Sequence, residues 1–462
     1  MGKPDYSTLL PGQGGRCPSW SAFGIYAYQP APGVQTERLF LEAEDGGISE
    51  GFLYRRGGEK TVVCLMHPRG DFTAHYLLPT LTAAGYAVLG QRSRYFNHDT
   101  ACVHEVASLD VGAAIAAMRA RGFEHVVLVG NSGGGSLFSL YQAQATLRPP
   151  HRLTHTAAGD LYDLNALEIP AADALVLLAA HPGEGKFLMG TIDPSVTDED
   201  DPLSYDPELD MYHPENGFRP LPEDSRYEQS FLDRYRQAQR ERVARIDAMA
   251  RQWVASRRAC QSMAQAGDFS TRPLATQTEI LRAARQSQFL RVHRTEADPR
   301  FCDRSIQPSE RLIGSLLGKR PDLVNYQIGG FGSVMTPEGW LSTWSGLSSH
   351  GSVLDNLKIV NVPLHIIFFT GDVCIFREDV REFLREAGSE DKTLCELEGD
   401  HYGVMPDGST SPRQKAGEDS KSYADCRKGL AEANARQSAV QEQKRRDFDR
   451  VLGAGTDGQS NY

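Results

Sequence analysis

No apolar run in this sequence approaches the roughly 18 residues that a bilayer-spanning helix needs. The first residues, Met1-Gly2-Lys3-Pro4-Asp5-Tyr6, show neither the apolar stretch of a secretory signal nor the Ser or Thr at position 6 of a myristoylation signal. These absences give the expectation of a cytoplasmic protein with no membrane partner. A cationic excess is also missing: 49 Lys and Arg stand against 60 Asp and Glu, for a net charge of −11. Nucleic-acid binding normally needs a basic face, so no nucleic-acid partner is expected. None of the eight cysteines sits in a C-x-x-C pair, which removes the zinc and thioredoxin signatures. Several lie in apolar runs such as Val62-Val63-Cys64-Leu65-Met66, the setting of free buried thiols in a reducing compartment. There is no internal repeat, and the acidic stretch 193–210 lacks EF-hand spacing. No metal and no cofactor is therefore assigned. What is present is 40% hydrophobic and 24% charged sequence over 462 residues, enough to bury a sizeable core in one large domain or two to three ordinary ones.

Residues 1–35 are rich in Gly, Pro and Ser and read as an irregular N-terminal arm. Thr36 to Arg56 reads as two strands around the turn Asp45-Gly46-Gly47. The β-branched run Thr61 to Met66 is a strand, Ala74 to Ala84 a helix, and Tyr86 to Gly90 a strand. His104 to Arg121 is an Ala-rich helix stopped at Gly122, Val126 to Val129 a strand, and Gly133 to Ala145 a helix. Ala172 to Ala180 is again a strand. Strands that are apolar throughout and alternate with helices predict a parallel sheet covered on both faces. The alternation stops over roughly 160 residues that hold acidic loops and a charged helical stretch, Arg226 to Gln265, which reads as a solvated face. It resumes with a strand at 362–369, a helix at Arg377 to Ala387 and a strand at Lys392 to Glu396. The expected organisation is an α/β core over 36–182 and 346–425, an insertion over 183–345, and a C-terminal helix with a flexible tail over 426–462.

The sharpest chemical signal is Gly130-Asn131-Ser132-Gly133-Gly134, a G-x-S-x-G placed after a strand and before a helix. Small residues around Ser132 permit a tight turn that lifts its hydroxyl out at the carboxyl end of the sheet. The N–H of Gly133, at the helix start, can then face a developing oxyanion. No Lys follows the glycines, so the Walker phosphate loop is absent. A serine hydroxyl needs a base, and His401 in Glu398-Gly399-Asp400-His401-Tyr402-Gly403 follows the last strand. His67 and His181 also follow strands and are its rivals. The base needs an orienting carboxylate. Asp372, after the strand ending at Phe369, is the first candidate, and Glu184 the second.

The chain order Ser132, Asp372, His401 resembles the α/β-hydrolase superfamily. The run Val62 to Met66 into His67-Pro68-Arg69-Gly70 is similar to that family's His-Gly oxyanion loop, although Pro68 stands where the family often has Gly. The resemblance covers roughly 36–182 and 346–425. It implies an α/β-hydrolase fold: a mostly parallel, doubly wound sheet with a mainly helical cap or lid inserted after the sixth strand. It also implies a second oxyanion donor at the N–H of Arg69. Arg69, Arg92 and Arg94 all follow strand ends. If these guanidinium groups converge on the site they favour an anionic small molecule; otherwise they pair with Asp71, Asp99 or Glu105. Arg92, Arg94 and His67 are assigned to substrate binding. The implied activity is serine-dependent hydrolysis of an ester of a small metabolite through an acyl-enzyme. Thioester, amide and carbon–carbon (diketone) cleavage use similar machinery in that superfamily, and a ligand-binding scaffold without turnover is the non-enzymatic rival. A homodimer is compatible with the sequence, which carries no heptad pattern.

Overall fold

The computed structural model describes residues 30–419 except 97, 221, 328 and 329. The expected C-terminal helix and tail, and the arm up to residue 29, lie outside the described residues. Eight strands form one sheet: β1 (Gln35–Glu42), β2 (Ile48–Arg55), β3 (Thr61–His67), β4 (Ala87–Arg92), β5 (His125–Asn131), β6 (Ala174–Leu178), β7 (Leu364–Phe369) and β8 (Lys392–Leu397). Their spatial order is β1-β2-β4-β3-β5-β6-β7-β8. β2 runs antiparallel to both β1 and β4, and every other pair is parallel. The central strands are buried on both faces: all five residues of β6 and all six of β7 are buried. That is why these strands read as unbroken apolar runs. The edge strand β1 alternates between exposed and buried positions in its second half, as a strand with one wet face does.

Helices cover the two faces. They are α1 (Leu78–Ala83), α2 (His104–Ala120) and α3 (Gly133–Thr146), with α8 (Arg377–Glu386) late in the chain. The helix expected from Ala74 to Ala84 is shorter than its apolar pattern, because Pro79 favours a helix start and the residues before it turn. The parallel register aligns Leu65 with Val129, Asn131 with Leu178, Leu178 with Ile367 and Phe369 with Leu397. The loops after β3, β5, β6, β7 and β8 therefore emerge at one end of the sheet. β4 and β5 flank β3 on opposite sides. The crevice between the ends of β3 and β5 is thus the point where the winding reverses.

Between β6 and β7 the chain leaves the sheet. This stretch holds α4 (Glu184–Thr191), the 37-residue α5 (Gln229–Gln265), α6 (Leu274–Arg285) and the short α7 (Val353–Leu357). A two-stranded pairing of Leu290–Arg291 with Val334–Met335 lies within it. The buried side of α5 is set by Phe231, Tyr235, Gln239, Val243, Ile246, Ala250 and Val254, three or four residues apart. Phe231 and Tyr235 pack in a cluster with Met211 and Phe301. Val243 to Val254 pack with Leu188, Leu290, Trp340 and Trp344 in another. Trp340 donates its ring N–H to Asp247 at 2.7 Å. Buried Arg242 pairs with Glu199 at 2.6 Å and donates to the carbonyl of Asp193 at 2.6 Å. Among the described residues no helix is long and apolar enough to cross a membrane.

Candidate active site

Ser132 joins β5 to α3 at φ 54° and ψ −122°, a conformation that costs a non-glycine residue free energy. The surroundings hold it there. Its N–H donates to the carbonyl of Leu178 at 3.1 Å. Asn131 donates from its side chain to the same carbonyl at 2.9 Å, tying the turn to β6. Buried His75 accepts the N–H of Leu77 on Nδ1 at 3.2 Å and donates from Nε2 to Asn131 Oδ1 at 3.2 Å. Burial lowers its pKa to about 3, so the ring is a neutral structural donor. A Cβ on Gly130 would lie 2.6 Å from the carbonyl oxygen of Gly134, which explains the glycine preceding the turn.

The residues expected to assist the serine meet there. His401 Nε2 lies 3.1 Å from Ser132 Oγ. Its Nδ1 lies 2.7 Å from Asp372 Oδ2. The other Asp372 oxygen accepts the N–H groups of Cys374 at 2.8 Å and Ile375 at 3.1 Å, which fixes the plane of the carboxylate. Asp372 and His401 are both buried. With a carboxylate on Nδ1, the imidazole carries its proton there and leaves Nε2 free to accept from the serine hydroxyl. Burial by itself would lower the pKa of His401. The charge and hydrogen bond of Asp372, with Asp400 behind them, outweigh it and raise the pKa above its ordinary value. Asp372, Cys374 and His401 also place three donor atoms within 4.8 Å of one another. Two of these atoms are already bonded to each other.

Glu184, the second candidate for the orienting acid, does not reach His401. Its Oε2 accepts from Ser136 Oγ at 2.6 Å and lies 3.3 Å from His104 Nε2. Burial pushes its pKa up, but the imidazoles of His104 and His181 and the guanidinium of Arg69 more than offset this and hold it well below the usual carboxylate range. His181 accepts the N–H of Gly183 on Nδ1 at 3.2 Å, and burial lowers its pKa to about 4. His67 accepts the N–H groups of Arg69 at 3.1 Å and Gly70 at 2.8 Å on Nδ1. Burial first, then the Arg69 charge, hold it well below its ordinary value. Both rings are thereby locked as neutral tautomers protonated on Nε2, and neither takes the place of His401 at the serine.

Three expectations need correction. The N–H of Arg69, assigned to the oxyanion hole, points back into its own loop and is bonded to His67. The Arg69 side chain is what meets the site, with its guanidinium 4.4 Å from the Trp344 ring centre. Arg92 is absent from the cavity wall. It is the cross-strand partner of Glu50 in the β2–β4 register and forms an ion pair with it. It also lies 3.7 Å from Asp71 and over Phe96. Arg94 is spent on Asp45 at 2.6 Å and buried Asp110 at 2.7 Å. β4 lies next to antiparallel β2, so side chains at its end meet carboxylates of the β1–β2 hairpin and α2 before they can reach Ser132.

Ser132 and His401 open on a narrow cavity of about 20 Å³. Its polar lining residues are His67, Arg69, His181 and Glu184. Its apolar lining residues are Phe187, Leu316, Phe331, Trp344 and Ile375, with Arg69 over Trp344 and His181 against Phe187. All but Ile375 of the apolar set come from the chain between β6 and β7. Nothing in linear periodicity marks these residues as site residues; only the folding of that stretch over the strand ends does. A wider groove of about 590 Å³, bordered by Leu312, Lys319, Val373 and Tyr402, shares Leu316 and His401 with the cavity.

A sheet of this order with a single antiparallel strand inside it, a strained serine after β5, a carboxylate after β7 and a histidine after β8 together define an α/β-hydrolase fold with a serine at its nucleophile position. No protein-family model and no curated protein matches the sequence. Among solved structures, the chain is similar to Est1E from Butyrivibrio proteoclasticus, with 10% identity over 85% of this chain and 99% of that one and a TM-score of 0.41. It is also similar to the Pyrococcus furiosus esterase Pf2001, with 11% identity over 83% and 91% and a TM-score of 0.38. The monoacylglycerol lipase of Paleococcus ferrophilus shows 14% identity over 84% and 99% and a TM-score of 0.35. The assignment of the fold rests on the strand order and the serine turn.

Proposed function

We propose that this protein is a serine hydrolase that cleaves esters of small molecules through an acyl-enzyme. The observation that carries the reading is the continuous hydrogen-bonded chain from half-buried Ser132 Oγ through buried His401, at 3.1 Å, to buried Asp372, at 2.7 Å, opening on a narrow cavity. His401 Nε2 takes the hydroxyl proton as Ser132 Oγ bonds to the acyl carbon. The negative charge that develops on the carbonyl oxygen meets the N–H of Gly133, at the start of α3, where helix N–H groups lack intrahelical acceptors. His401 then gives its proton to the departing alcohol as the carbon–oxygen bond breaks. Water enters, loses a proton to His401 and attacks the acyl-enzyme. The second tetrahedral intermediate collapses, Ser132 recovers its proton from His401, and the acid is released. The basis for expecting an anionic substrate is reduced, since Arg92 and Arg94 are paired elsewhere and Arg69 alone of the three borders the cavity.

The test is labelling with a fluorophosphonate, read by intact mass and peptide mapping. One adduct on Ser132, absent from Ser132→Ala, is the expected result. A protein that hydrolyses esters at an undiminished rate as Ser132→Ala would overturn the mechanism, because loss of the nucleophile removes several orders of magnitude of turnover.

A further inference from the structure

The mechanism leaves one buried charge beside the nucleophile unused. Glu184 is 1% exposed, yet only its Oε2 accepts a hydrogen bond, from Ser136, with His104 Nε2 3.3 Å from it. Among the described residues Oε1 has no hydrogen-bond partner, and the imidazole nitrogen in an ion-pair contact with it, His181 Nε2, is 3.9 Å away. Its position is specific. A side-chain carbon built on Gly133 would overlap Oε1 and lie 2.6 Å from His67 Nε2, so Oε1 sits against the backbone of the residue that follows Ser132. Glu184 is among the residues lining the cavity onto which Ser132 opens. A buried, ionised oxygen without a donor is costly, and in native proteins such a group calls for a functional or bound-partner explanation. Glu184's charge faces His104, His181 and Arg69, and Ser136 takes one oxygen, so Oε1 is the atom whose hydrogen bond these duties leave unmade.

We propose that Glu184 Oε1 is the specificity determinant of the acyl site: it accepts a hydrogen bond from a hydroxyl or ammonium group on the acyl part of the substrate, so the substrates are esters of hydroxy- or amino-substituted acids. This rests on the reading of Ser132 as nucleophile. With the carbonyl oxygen of the bound ester on the N–H of Gly133, a donor that reaches an oxygen packed on the same residue sits on the carbon α or β to the carbonyl. The aliphatic remainder of the acid lies against Phe187, Phe331 and Trp344. An acid lacking the donor leaves Oε1 buried and unpaired in the complex, the situation in which polar sites discriminate most strongly.

The experiment uses the full chain and the phenyl esters of butanoic, 2-methylbutanoic, 2-hydroxybutanoic, 3-hydroxybutanoic and 2-aminobutanoic acids, with phenol release as the readout. The methyl compound controls for size, and the hydroxy and amino arms separate the two donors. The expected result is that kcat/KM for at least one donor-bearing ester exceeds that of the butanoate and 2-methylbutanoate by about tenfold or more. In Glu184→Gln the amide N–H₂ turns to the cavity, and this ratio falls to about threefold or less. A wild-type enzyme that favours butanoate or 2-methylbutanoate, or that is labelled at Ser132 by the fluorophosphonate yet turns over none of the esters, overturns the role of Glu184 alone. So does a ratio that survives in Glu184→Gln. If that variant does not fold, shown by loss of its melting transition, the wild-type ratios decide. No labelling and no turnover of any ester defeats the nucleophile reading instead.

Discussion

His401 is where local chemistry is most exposed to measurement. Its pKa is raised above the ordinary imidazole value of 6.5 because Asp372 favours the protonated ring more than burial disfavours it. The base must be neutral to act, so kcat/KM is expected to rise with pH through an apparent pKa above 6.5, the value for a free imidazole. Asp372→Asn removes the charge that raises it. Its pH–rate limb should move to lower pH, and kcat should fall by about four orders of magnitude because the tautomer is no longer held. An unmoved limb would assign it to another group. Arg92 gives the opposite expectation. Its charge is held by Glu50, so Arg92→Ala should leave the kcat/KM ratio between neutral and anionic esters unchanged. A selective loss on the anionic ester would place its guanidinium at the substrate.

At the scale of elements, the turn between β5 and α3 works because backbone replaces side chain there. Gly130 faces Gly134 too closely for a Cβ. Gly130→Ala is expected to cost about 1–3 kcal/mol in urea unfolding, the range for overpacking. Helix α5 poses a different case. Its sequence reads as charged throughout, and a solvated face was the expectation. In the structure Arg242 on that helix is buried against Glu199 and two backbone carbonyls, of Asp193 and His293. Arg242→Ala leaves Glu199 without its closest cation and should destabilise the protein by about 3–5 kcal/mol. A surface residue would cost almost nothing, so equilibrium unfolding separates the two.

At the scale of the whole molecule, two spaces of different size meet at His401. The cavity at the serine is about 20 Å³ and the groove about 590 Å³. If the acyl group occupies the cavity and the alcohol the groove, lengthening the acid should reduce kcat/KM steeply, while enlarging the alcohol should change it little. A chain-length series on each side of the ester measures this, and the reverse pattern would exchange the two assignments.

The sequence by itself determined the order of strands and helices, because parallel strands buried on both faces must be apolar throughout and helices between them carry their own stop signals. It also singled out Ser132 and placed Asp372 and His401 first among their rivals, since each follows a strand; the parallel register is what brings these loops to one end of the sheet. Tertiary structure alone decided the rest. Whether a guanidinium at a strand end serves the site or a structural carboxylate depends on which strand lies beside it, and for Arg92 and Arg94 that neighbour is the antiparallel hairpin and α2. The burial of Glu184 and the cavity lining of Phe187, Phe331 and Trp344 depend on how the stretch between β6 and β7 folds back over the strand ends. These contacts join residues far apart in the chain, and no local pattern encodes them.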